Sequence, residues 1–95
     1  MYYAADKQKA DSVLRDLRAA RTGDQMSTLA CLQRLRNEVA CERASDLPRM
    51  QAWQSIRRLY EAFKAATRQD PGTPDLKPHW QDAIAKTATW RENLR

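Results

Sequence analysis

PRMQAWQSIRRLYEAFKAATR, residues 48–68, reads as one long helix whose two sides differ in chemistry. At about 100° per residue, Ala52, Trp53, Ile56, Leu59, Tyr60, Phe63, Ala66 and Thr67 share an arc of roughly 140°, which is the width of a core-facing stripe. Opposite it, Arg57, Lys64 and Arg68 fall within roughly 40° of one another, with Arg58 further round and Glu61 as the acid among them. The segment is therefore expected to bury one face and to show a basic stripe on the other. Its start is marked by Ser45, Asp46 and Pro48: a capping side chain is followed by a proline whose missing N–H is not needed in the first turn.

The same periodicity extends outward in both directions. The spacing predicts helices over about 4–21, 27–44, 48–69 and 78–94. The first carries Ala10, Val13, Leu14, Leu17 and Ala20 on one face, with Gly23 placed to end it. The second starts from Asp24 or Ser27 and presents Leu29, Leu32, Leu35, Val39 and Ala40. In the last, Leu76, Trp80, Ala83, Thr87, Trp90 and Leu94 recur at heptad-like spacing and form a packing seam. Asp70 to Pro78 holds three of the four prolines and one of the two glycines, so it is expected to be a stiff non-helical crossing.

Composition agrees with this reading. Two glycines in 95 residues, few β-branched side chains and a surplus of Ala, Leu, Arg and Gln favour helix throughout. A chain of this length buries a little over 60% of its unfolded surface, enough for one core. The expected fold is all-α, a single domain of four amphipathic helices packed as an antiparallel up-down bundle. The longest apolar runs, Met1–Ala5 and Leu29–Leu32, fall far below the roughly 18 residues that span a bilayer, so no membrane role and a cytoplasmic location are expected.

Charge narrows the partners without naming one. Seventeen basic and twelve acidic side chains leave +5, spread as 5 against 3, 3 against 3, 5 against 3 and 4 against 3 over residues 1–23, 24–45, 46–70 and 71–95. An even spread argues for a surface patch and against a disordered basic arm. Helical pairs Asp11–Arg15, Arg34–Glu38, Arg57–Glu61 and Asp82–Lys86 neutralise part of it. The unmatched bases are Lys7, Arg18 and Arg21 on the first helix, and Arg58, Lys64 and Arg68 on the third.

The second helix contains an irregularity. Arg36 and Arg43, one heptad apart, project into its apolar arc, between Leu29 and Ala40 on one side and Leu32 and Val39 on the other. Arginine among apolar positions marks either a stem lying along the rim of a narrow seam or a face that binds a second molecule.

Catalytic and metal chemistry have little to build on. His79 stands between Asp75 and Asp82, a spacing able to orient an imidazole, but no nucleophile is recognisably paired with it. Cys31 and Cys41, ten residues apart on the expected second helix, would lie about 15 Å from each other and remain thiols. No zinc spacing and no phosphate-cradling glycine loop is present, and no cofactor is expected.

The sequence is thus read as a small non-enzymatic helical module. It is expected to be a regulator or inhibitor docking on a larger protein or ribonucleoprotein through Arg36, Arg43, Arg58, Lys64 and Arg68. Its size fits a phage- or plasmid-type inhibitor of a host nucleic-acid-binding machine, and the same face allows a homodimer. The rival reading is direct DNA or RNA binding by the basic faces of the first and third helices, with Lys7, Arg18 and Arg21 as a secondary patch.

Overall fold

The computed structural model describes residues 2–68 and 75–94, with side chains described from Asp6 onward except that of Ala44. Four α-helices account for nearly all of it: α1 (Tyr2–Ala20), α2 (Gln25–Val39), α3 (Leu47–Thr67) and α4 (Lys77–Glu92). A 3-10 turn, Ala44–Asp46, leads into α3, and no strand is present among the described residues. The expected crossing at Asp70 to Pro78 lies mostly outside the described residues, as does the expected end of the third helix at Gln69.

Each helix packs on its chain neighbours, and α4 also packs on α1, whereas among the described residues the backbones of α1 and α3, and of α2 and α4, nowhere come within 8 Å Cα to Cα. The helices therefore surround one core in the order α1, α2, α3, α4. The molecule is compact and somewhat elongated, with a radius of gyration of 13.3 Å and extents of 46 × 24 × 19 Å.

The core is what the periodicity demands. Ala10, Val13 and Leu17 from α1 meet Leu32, Leu35 and Val39 from α2. Ala52, Ile56, Leu59 and Tyr60 from α3 meet Trp80, Ala83 and Trp90 from α4. Leu76 and Leu94 pack on the same cluster, so the seam expected along the last helix is present from end to end. On α3 the buried arc is turned slightly from expectation: Ser55 is 2% exposed while Trp53 is half-buried at its edge. Ser55 tolerates burial because its hydroxyl donates to Asp82 Oδ2 of α4 at 2.7 Å. On α4, Thr87 is buried for the same reason, donating to the Ala83 carbonyl one turn back.

Helix ends follow local chemistry in three places and depart from it in two. Asp24 caps α2 by accepting the Ser27 N–H at 2.9 Å and the Ser27 hydroxyl at 3.0 Å. These bonds favour the charged carboxylate and hold its pKa below the usual value. Asp75 accepts the Lys77 N–H at the start of α4. Gly23 follows the end of α1 where space is short, since a Cβ there would stand 3.3 Å from Thr28 Oγ1. Asp46, expected to cap α3, makes no side-chain cap, because the 3-10 turn already occupies that position.

The larger departure is in α2, which ends at Val39 and not at Ala44. Ala40 leaves the helix with φ −40° and ψ 124°. The cause is long-range: Arg49 Nε donates to the Val39 carbonyl at 3.2 Å and Nη2 to the Glu38 carbonyl at 3.3 Å. The last carbonyls of α2 are thereby satisfied without a glycine or proline stop. Two expectations fall with this. Cys41 and Arg43 stand on the connection and not on the helix, so neither the shared-helix argument for the cysteines nor the heptad relation between Arg36 and Arg43 holds. Both thiols are free all the same.

Candidate functional site

Of the arginines read from sequence, Arg36 and Arg57 come together on the face formed by α2 and α3, in an arrangement that differs from the expected one. Arg36 is partly buried, its side chain 31% exposed. Its guanidinium carbon lies 4.7 Å from the Tyr60 ring centroid, and Nη1 lies 3.7 Å from Glu61 Oε1. An arginine in an apolar arc is thus accounted for within the chain: its stem lies beside the core and its head rests on a ring of the neighbouring helix. Lys64 approaches the same ring, with Nζ 5.9 Å from its centroid.

Glu61, expected to answer Arg57, is engaged by Arg36 instead. Arg57 lies over Trp53, one turn earlier on α3, at 4.8 Å from the ring centroid. Two guanidinium groups on adjacent helices are therefore each held on an aromatic face. Sequence alone shows the spacing of Trp53 and Arg57 but not the cross-helix pairing of Arg36 with Tyr60.

Three grooves that share lining residues lie on and beside this face, the second of them between α3 and α4. A groove of about 300 Å³ is lined by Arg36, Asn37, Ala40, Glu42, Trp53 and Arg57. Arg57 also lines a second groove of about 530 Å³, with Gln54, Arg58, Glu61 and His79. Ala40, Glu42 and Trp53 also line a third, of about 630 Å³, with Asp6, Arg43 and Arg49 among its walls. Arg49, not singled out from sequence, lies over Trp90 at 5.5 Å as well as capping α2.

The remaining expected site residues are distributed as follows. Arg58 is exposed, with Asp82 Oδ2 at 4.0 Å as a loose partner. Arg68 is exposed at the end of α3 and forms no ion pair among the described residues. Arg43 lines the third groove and does not share one with Arg36. Lys7, Arg18 and Arg21 are exposed on and just past α1 without ion pairs among the described residues. Asp11 pairs with Arg91 of α4, and Arg34 bridges Asp16 of α1 at 2.9 Å while also reaching Glu38. These are the ties that join α1 to its neighbours at the surface.

Chemistry at the cysteines and the histidine is correspondingly restrained. Burial pushes the Cys31 thiol up from its ordinary value, with Arg34 opposing. Neither acid flanking His79 is turned to it as a hydrogen-bond partner, since Asp75 serves the start of α4 and Asp82 serves Ser55 and Arg58. Among the described residues no group of three or more His, Cys, Asp or Glu side chains is placed to hold a metal ion, and no helix is long and apolar enough to cross a membrane.

Comparisons with known proteins add no relative: no family model, no curated protein and no solved structure matches the chain.

Proposed function

We propose that the chain is a small non-enzymatic helical binding module that docks its α2/α3 face onto a larger protein or protein–nucleic-acid complex and regulates or inhibits it. The observation that carries the reading is the pair of guanidinium groups held on aromatic rings, Arg36 on Tyr60 at 4.7 Å and Arg57 on Trp53 at 4.8 Å. Fixing a long side chain before binding removes most of the ordering entropy an interface otherwise costs, on the order of 0.5–1.5 kcal/mol per side chain. Arginine flanked by aromatic residues is the composition from which interface hot spots are drawn.

The scaffold suits this role. The ring of helix contacts supports an antiparallel up-down bundle, in which short connections join neighbours and α2 and α3 lie side by side as a rigid face. Two free thiols fit a reducing compartment such as the cytoplasm.

Affinity purification from the native host, with and without nuclease, tests the reading against an Arg57→Glu, Arg58→Glu variant whose changes lie on exposed positions. A protein partner that survives nuclease and is lost from the variant is expected. A partner retained equally by the variant overturns it. The second reading, direct nucleic-acid binding, draws on Lys7, Arg18 and Arg21, exposed and without ion pairs among the described residues. It requires retention of DNA or RNA at low salt, with an affinity falling steeply as salt is added.

A further inference from the structure

We propose that the outer face of α1 binds the phosphate backbone of a nucleic-acid duplex. The inference deepens the second reading above by naming the face and the form of nucleic acid, and the surface it uses lies outside the α2/α3 face.

The face is basic because its acids are answered from other helices. At about 100° per residue, Lys7, Asp11, Arg15 and Arg18 share an arc of about 80° on α1, turned away from the core positions Val13 and Leu17. Asp11 is held by Arg91 of α4, and Asp16, on the α2 side of the helix, by Arg34 of α2 at 2.9 Å. Both carboxylates thus draw their counter-charge from a neighbour, and Lys7, Arg18 and Arg21 stand exposed without ion pairs among the described residues. Arg15 reaches only to Asp16, at 3.9 Å, with its own side chain 77% exposed. The other acids nearby are engaged or turned elsewhere. Asp6 lines the grooves beside the start of α3, Asp24 is bonded to Ser27, and Glu92 projects about 100° further round α4 than Arg91.

The residues interleaved with these bases select among anionic partners. They are Gln8, Ser12 and Ala19, polar or small, so charge is what the described face offers. A protein partner is anchored by aromatic or apolar groups in pockets, and a single strand by bases stacked on aromatic rings. A duplex requires charge alone: it carries one negative charge per about 1.7 Å of axis, and neutralising it releases condensed counter-ions. From Lys7 to Arg21 the axis of α1 advances about 21 Å, along which a duplex presents about twelve phosphates on its two strands. An anionic bilayer would also supply charge, but α1 and α4 turn their apolar stripes into the core and not toward a membrane.

The test is fluorescence anisotropy of a labelled thirty-base-pair DNA duplex titrated with the full chain at several salt concentrations from about 50 to 200 mM. Contacts from Lys7, Arg15, Arg18 and Arg21 give log K against log salt a slope of about −3 to −4, so affinity is expected to fall about a hundredfold over that range. Arg18→Gln is expected to reduce the slope by about one, and Arg15→Gln with Arg18→Gln by about two. Lys86→Gln is the control of equal charge. Lys86 is exposed about 40° round α4 from Asp82, which bonds Ser55 of α3, and its loss leaves the slope unchanged. Unchanged circular dichroism and denaturation midpoint certify each variant. No binding at about 50 mM salt overturns this inference together with the nucleic-acid reading, while the host purification judges α2/α3 docking separately. Equal effects of Arg18→Gln and Lys86→Gln overturn the α1 face and leave nucleic-acid binding standing. A thirty-nucleotide thymidine strand bound more tightly than the duplex, or phosphatidylserine vesicles that displace the duplex at equal phosphate, overturn the duplex as the partner.

Discussion

The guanidinium of Arg36 on α2 lies over the ring of Tyr60 on α3 at 4.7 Å, so the most irregular residue of α2 is also a tie between two helices. The ring is 6% exposed and the arginine head is partly in water, a setting in which a cation on an aromatic face contributes on the order of 0.5–1 kcal/mol. Glu61 adds little, because that pair is long and its carboxylate is largely solvated. A double-mutant cycle over Arg36→Met and Tyr60→Leu is expected to give a coupling free energy of about 0.5–1 kcal/mol by urea denaturation. A coupling indistinguishable from zero shows the stacking to be without energetic weight. Added salt leaves most of the coupling in place, since little of it comes from the exposed acid.

Arg49 is expected to matter more for the fold. It satisfies two carbonyls at the end of α2 and covers the Trp90 ring, joining α2, α3 and α4 at one point. Arg49→Ala is expected to destabilise the protein by about 1–3 kcal/mol, the range for losing hydrogen bonds from a charged donor. Arg49→Lys recovers part of this only, since an ammonium lacks the planar fork that reaches two carbonyls at once. Denaturation midpoints measure the loss, and hydrogen exchange locates it: amides in the last turn of α2 lose protection before those of α3. Uniform loss across the chain would contradict a local cap.

These two arginines show which parts of the structure a linear reading reaches. The apolar arcs of α1, α3 and α4 were legible because burial imposes a helical period on the residues themselves. The start of α2 was legible as one of two caps, Asp24 or Ser27, of which Asp24 is the one that forms. The end of α2 was not legible, because nothing in Val39–Ala44 stops a helix. The stop is delivered by Arg49, ten residues from Val39. The candidate site was legible only in part. Arg57 over Trp53 is a one-turn relation within a helix, but the sequence reading set Arg57 opposite the arc of Trp53 and paired it with Glu61, and Arg36 over Tyr60 depends on how α2 is set against α3. Reading Arg43 with Arg36 assumed a helix that runs five residues further, to Ala44, than the one that forms.

Trp90, placed on the packing seam by its spacing, is 1% exposed although it stands in the last turns of the chain's final helix. Arg49 from α3 covers it, and α4 stays helical through Glu92. Trp90→Ala is expected to cost about 3–5 kcal/mol, the range for removing a large aromatic from a packed core. The indole N–H has no hydrogen-bond partner among the described residues, so Trp90→Phe sheds an unsatisfied donor along with volume. Its cost is therefore expected to be well under half that of the alanine variant. Thermal or urea unfolding of the two variants checks the ratio. Equal losses would mean that the indole nitrogen, and not the ring's bulk, holds the site.

Asp24 gives the fold an acid-sensitive helix start. Its carboxylate accepts the Ser27 N–H and hydroxyl, and these bonds set its folded pKa below the ordinary 3.8. A group whose pKa is depressed by folding contributes its stability in full above its unfolded pKa, and loses it as pH falls through the lower folded value. The cap is therefore expected to be intact at neutral pH and to weaken only below about pH 4, when the unfolded chain takes up the proton first. Asp24→Asn keeps an acceptor for the Ser27 N–H while removing the titration. Its unfolding free energy is expected to fall less steeply than wild type between pH 4 and pH 2, and to lie slightly below it at pH 7, where the charge at the helix start favours the wild type. Parallel slopes for the two proteins across that window would show that Asp24 does not link this helix to pH.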